Sequence, residues 1–344
     1  MIKKINIIFT NPIRDPFPDF LRGIALILMI QVHLTEVILI SKPEYLFFEK
    51  LSYLMGGIPA APVFLILMGY FQGISKANLK KEIIRGIQLI ALGFALNFCM
   101  NATLLYKIIT GEFNLVPWKY ILGVDILFIA GLAFIFIGFI KRFLSRIYLQ
   151  VVLLIIVFIV QFLTGELKVE GDLLLYSFSF LFRVSDWSYF PFIPWIAYPV
   201  SGLILSHKKL IKAFEEFKLP TWSFVLLITF LLITLNYALE VSSNLKSYYN
   251  FGFTFYVWSL IFLILWGYLL KNIQSKFTDS LIIKYIRWLG KNVTVVYFFQ
   301  WILIGNIGTN LYKSIHFQDY LIIFLLILFI TSICTYLYNL SKIN

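Results

Sequence analysis

Along this chain, apolar runs of close to twenty residues recur from end to end, separated by short polar stretches carrying Lys, Arg, Asn and Pro. Read by length and composition, ten such runs fall at about 21–40, 54–75, 84–100, 120–140, 147–164, 192–206, 222–239, 251–270, 288–307 and 320–340. A helix rises about 1.5 Å per residue, so each run is long enough, or nearly so, to cross a hydrocarbon layer of about 30 Å. An eleventh apolar stretch, 173–190 (LLLYSFSFLFRVSDWSYF), is short and interrupted by Arg183 and Asp186. The pattern predicts an all-α polytopic membrane protein of about ten transmembrane helices, folded as one domain over 1–344.

The first run breaks the apolar rule in an ordered way. On a helix turning about 100° per residue, with Arg22 at zero, Asp19 falls near 60°, His33 near 20° and Glu36 near −40°. Gln31 stands on the opposite side. Four ionisable groups therefore share one face of a segment otherwise built of Ile, Leu, Met and Val. His33 lies about 16 Å deeper than Arg22, near mid-bilayer. Such a face either anchors and glues helices or lines a reaction or transport path, because intramembrane charge is costly. A histidine with a carboxylate one turn away suits general-base chemistry, which favours the second reading.

Composition sharpens this picture. The 344 residues are 60% hydrophobic and only 13% charged, with a mean hydropathy of +0.88, which excludes a soluble globular domain. The net charge of +12 needs no nucleic acid to explain it. With a cytoplasmic N-terminus, 21 of the 29 Lys and Arg residues fall on inside segments. Lys42, Lys50, Lys107, Lys119, Lys168, Arg183, Lys246 and Lys313 fall outside. The bias places both termini in the cytoplasm, provided that 173–190 does not cross and lies as an interfacial or re-entrant segment on the outer side. The opening Met1–Phe17 reads as a cytoplasmic or interfacial lead-in, its apolar run too short for a signal-peptide core. Cys99 and Cys334 sit in apolar spans. His33, His207 and His316 are too widely spaced for a zinc site, so no metal is expected. His207 and His316 read as solvated loop residues.

Other residues carry two readings each. Asp125, inside the fourth run, is either a helix contact or a cavity acid. Lys80, Lys81 and Arg85 cluster at the inner end of the third run, where positive-inside anchoring competes with phosphate binding. Asn97 and Asn101, one turn apart, suit helix–helix contacts. Pro191, Pro194 and Pro199 bend the sixth run, and the Pro194–Trp195 pair beside 173–190 could shape an outer acceptor site.

Five blocks, in order, resemble the transmembrane acyltransferase superfamily. Asp19-x-x-Arg22-Gly23-Ile-Ala-x-x-x-Met29-x-x-x-His33 is similar to its opening motif, shared by acyltransferase-three O-acetyltransferases and the heparan-α-glucosaminide N-acetyltransferase group. Gly56–Tyr70, Asp125–Leu132, Phe190–Gly202 and Leu289–Tyr297 resemble further blocks of the second group, including its bacterial members. The resemblance implies transfer of an acyl group, usually acetyl, from cytoplasmic acyl-CoA to a hydroxyl or amine of an extracytoplasmic sugar or glycan. It implies a site in the bacterial cytoplasmic membrane, and the lipid bilayer, acyl-CoA and the glycan as partners; a homodimer is allowed. It makes His33 the base or acyl relay, with Glu36 and Asp125 as further catalytic candidates. Arg22, oriented by Asp19, becomes a donor-phosphate ligand together with Lys80, Lys81 and Arg85. Pro194, Trp195 and Gln300 become acceptor-side residues. Many relatives carry His soon after the late Tyr, where this chain has Gln300, which cannot exchange a proton near neutral pH. Two rivals stand beside this reading. One is a proton-coupled transporter of a small solute or lipid-linked sugar using His33, Glu36 and Asp125, against which no second copy of the charged stripe is visible. The other is a degenerate relative that only binds a partner.

Overall fold

The structure is a computed structural model and describes residues 15–165, 167–210 and 220–342. Lys3, Lys4, Arg14, Lys212 and Lys218 of the charge pattern, and nearly all of the expected lead-in, lie outside these residues. Among the described residues the chain is helical, with two isolated bridges (Leu39 to Ile315, Val124 to Ser188) in place of strands. The helices used below are α1 (Phe17–Val37), α2 (Leu46–Gly57), α3 (Ala61–Ile74), α4 (Leu79–Met100), α5 (Ile126–Phe143), α6 (Ile147–Thr164), α7 (Asp172–Ser179), α8 (Ala197–Leu205), α9 (Thr221–Ile233), α10 (Leu235–Ser243), α11 (Phe253–Lys276), α12 (Leu281–Lys291), α13 (Val293–Leu311) and α14 (Phe317–Ser341).

Among the described residues, seven segments are long and apolar enough to span a membrane: α1, the run Pro43–Ile74 containing α2 and α3, α4, α5, α6, α11 and α14. An eighth results if α9 and α10, bent by 53° at Thr234, are one span. The remaining expected spans are helical but depart from the simple pattern. Phe192–Leu205 is shorter than a span, because Pro191, Pro194 and Pro199 crowd its first turns. The helix α13 has the length, but Gln300, Asn306 and Asn310 dilute its apolar character. The stretch 173–190 holds only the eight-residue α7 followed by turns, too short to cross.

The chain divides into two compact units, Met1–Val63 with Ile261–Asn344, and Phe64–Leu260. In the first, α1 is the central helix and packs on α2, α12, α13 and α14. Pro18 and Asp19 start it: proline tolerates a position whose N–H has no helical acceptor, and the carboxylate faces the positive helix end. Backbone meets backbone where α1 crosses α12. A Cβ at Gly23 would lie 1.9 Å from the Ile286 carbonyl oxygen, and one at Gly290 would lie 1.8 Å from that of Asp19. Small residues thus set the helix spacing here, as they do where lipid supplies no hydrophobic drive. Farther along, Ile30, Leu34, Ile38 and Leu39 are buried against Ile304, Tyr320 and Ile327.

In the second unit α4 packs on α5. Lys141, in the last turn of α5, reaches across to donate to the carbonyls of Gln72 (2.8 Å) and Ser75 (3.0 Å) and to Glu82 Oε1 (2.6 Å). The ammonium therefore caps the end of α3 and pairs with a Glu82 side chain that is 3% exposed. Asn78 caps α4, its Oδ1 accepting from the Lys81 N–H at 3.0 Å.

Candidate functional site

The charged face of α1 is formed, but its partners differ from those its own helix suggested. Arg22 Nη1 donates to Asp19 Oδ1 at 3.3 Å, the contact expected for an i,i+3 pair. His33, in contrast, is not hydrogen-bonded to Glu36. Its ring lies against Trp301 of α13, with centroids 4.0 Å apart and planes at 33°. His33 Nδ1 is buried without a hydrogen-bond partner, and so is Trp301 Nε1.

Glu36 belongs to another grouping. Its charged neighbour is Lys313, in the turn between α13 and α14, which also faces Glu49. Lys313 Nζ donates to the Thr35 carbonyl at 3.1 Å, and its backbone N–H donates to that of Val37 at 3.0 Å. Burial pushes the Lys313 ammonium below its usual range, against the opposing pull of Glu49 and Glu36.

Gln31, the polar residue on the far side of α1, has a structural task. It bonds Ser52 of α2 and, at 3.2 Å, Thr35. Ser52 donates to Thr35 at 2.7 Å, and the Tyr320 hydroxyl of α14 donates to the Gln31 carbonyl at 2.9 Å. Gln300, on α13, is fully buried with both amide atoms unpartnered. Such atoms are costly and call for a ligand or water.

The remaining expected site residues lie in the second unit. Asp125 is not two turns inside a span. It is the N-cap of α5, where its Oδ1 accepts from the Ile126 N–H, because Val124 and Asp125 are extended and Val124 pairs with 187–190. Asn97 holds the preceding turn through the Ile121 and Gly123 carbonyls at 3.0 and 2.7 Å, and Asn101 bonds the Asn97 carbonyl, both structural contacts. Trp195 is fully buried and Pro194 is buried beside it. The Trp195 N–H is satisfied by the Tyr249 carbonyl at 3.0 Å, and its ring packs on Phe190, Tyr248 and Phe251. Both Pro194 and Trp195 are packed in the core of their unit. His207, expected to be solvated, bonds the buried Gln150 at 3.1 Å, and His316 lies 3.4 Å from Lys42 Nζ.

At the start of α4 an open cavity of about 500 Å³ is lined by Ser75, Lys76, Ala77, Lys81, Ile84 and Arg85. Lys80, expected among these, does not line it. The cavity combines three cations with the positive end of a 22-residue helix, an arrangement suited to anionic groups. Ser75, which lines it, is also the residue whose carbonyl Lys141 holds.

Sequence reasoning on α1 alone missed Trp301, Ser52, Tyr320 and Lys313. Ser52 comes from the next helix and the other three from a helix or turn distant in the chain, and only the unusual tryptophan beside Gln300 in an apolar run marked any of them.

A family model described as heparan-alpha-glucosaminide N-acetyltransferase, catalytic, matches residues 14–241. The match contains Asp19, Arg22, His33, Glu36, Asp125 and the basic cavity, and ends before Gln300 and the Leu289–Tyr297 block. No curated protein and no solved structure matches the chain.

Proposed function

The chain therefore belongs to the heparan-α-glucosaminide N-acetyltransferase catalytic family, and from that membership we propose that it is a membrane-bound acetyltransferase using cytoplasmic acetyl-CoA. The acceptor is a hydroxyl or amine of an extracytoplasmic sugar. The observation that carries the reading is His33: an imidazole deep in an apolar helix, within the matched residues, with an enclosed and unpartnered Nδ1. A neutral imidazole there can take the acceptor's proton as the acceptor oxygen or nitrogen attacks the acetyl carbonyl carbon. The carbon–sulfur bond then breaks, and the proton passes from the imidazolium to the departing CoA thiolate. A relay through acetyl-His33 uses the same residue and also balances.

Donor phosphates are the natural occupants of the basic cavity, with Lys76, Lys81 and Arg85 as their ligands. In the first unit Arg22, steadied by Asp19, offers a guanidinium of its own to an anionic group. The test is purified protein in detergent with acetyl-CoA, followed by binding and thiol release. Saturable binding with His33-dependent release supports the reading. Absence of binding to a folded sample sinks it and returns the proton-coupled transporter. Within this reading, Lys81→Glu with Arg85→Glu raises the acetyl-CoA KM by about 10-fold or more, with kcat at saturation nearly unchanged. An unchanged KM would leave these cations as membrane anchors only.

A further inference from the structure

His33 lacks the device that usually aims a working imidazole. Such rings are commonly oriented by an acceptor on one nitrogen, leaving the other for chemistry. Here Nδ1 has no acceptor, Glu36 makes no hydrogen bond to the ring, and the hydrogen-bonded set Gln31, Thr35, Ser52 and Tyr320 does not include it. What contacts the imidazole is the Trp301 indole, centroid to centroid at 4.0 Å. Trp301 is itself packed against the buried cluster of Ile30, Leu34, Ile304 and Tyr320.

The geometry points to Trp301 as the positioning residue of His33, an inference resting on the proposed role of His33 in proton transfer. A broad aromatic face fixes the plane of the imidazole while occupying neither nitrogen. The same face attracts a cation, so it favours the imidazolium that forms as the acceptor loses its proton. The effect falls on the step in which that charge develops and leaves donor binding alone.

The test compares Trp301→Phe with Trp301→Leu in acetyl-transfer assays on the purified, folded protein. Phe keeps a ring over His33 and retains kcat within about 5-fold, whereas Leu lowers kcat by about 10- to 100-fold. The acetyl-CoA KM stays within about 2-fold in both. Equal losses in Phe and Leu, or full kcat in Leu, overturn the inference. Should Leu not fold, Trp301→Met, closer in volume, takes its place with the same expectation. In a His33→Ala background Trp301→Leu adds no further loss; an added loss of similar size overturns the positioning role. Full turnover in His33→Ala instead removes the proposed role of His33. An inactive His33→Ala beside a fully active Trp301→Leu removes only the inference drawn here.

Discussion

His33→Ala lowers acetyl transfer by about 10²- to 10⁴-fold, the range that a positioned general base contributes. Within the proposed function the loss is in kcat, because the imidazole acts on the acceptor's proton and not on the donor's phosphates. The fold tolerates the change: the ring makes no hydrogen bond whose removal would orphan a partner, and the helix position favours alanine. His33→Gln separates proton transfer from hydrogen bonding. The amide can donate and accept but cannot exchange a proton near neutral pH, so it stays as inactive as the alanine variant. The measurement is thiol release and product formation from acetyl-CoA, with acetyl-CoA binding measured in parallel. Wild-type turnover in either variant would show that the proton leaves by another route. Accumulation of acetylated wild-type protein in the absence of acceptor, lost in His33→Ala, identifies the covalent relay.

The second large effect is on stability. Lys141→Met leaves Glu82 with a buried carboxylate and no counter-ion, and it frees the Gln72 and Ser75 carbonyls at the end of α3. Breaking a buried pair by removing one partner costs about 3–5 kcal/mol. The expected outcome is a clear drop in the thermal unfolding midpoint of the detergent-solubilised protein. Lys141→Met combined with Glu82→Gln recovers much of it, since no unpaired charge then remains. Equal destabilisation in the single and double variants would mean that the caps on α3, rather than the charge pair, carry the effect. Ser75 also lines the basic cavity, so within the proposed function the single variant loses acetyl-CoA affinity beyond what its stability explains.

What the sequence disclosed, and what it hid, follows from the range of the interactions. Apolar runs betray membrane helices because lipid imposes one requirement along a whole segment. The Asp19–Arg22 pair is legible because three residues on a helix are neighbours in space. Asn97 and Asn101 also serve as structural contacts, although they hold a turn as well as a helix. The partner of His33 was not legible: Trp301 sits 268 positions later, and helical spacing pointed to Glu36, which makes no hydrogen bond to the ring. Asp125 misled because an apolar run does not reveal where its helix starts, and a cap residue looks the same in sequence as an interior acid. The packing of Trp195 was hidden for another reason. Proline breaks near a tryptophan mark irregular backbone, but here that backbone is packed inside with its N–H satisfied.

The first helix is fastened at both ends. Near its start, Gly23 and Gly290 bring it into backbone contact with α12; near its finish, Ser52, Tyr320 and Lys313 bond to its side chains and carbonyls. A rod pinned in this way makes a poor rocker arm. Within its unit it serves as a fixed post, holding the imidazole at one depth while smaller parts, such as side chains and the ends of neighbouring helices, make room for what comes and goes.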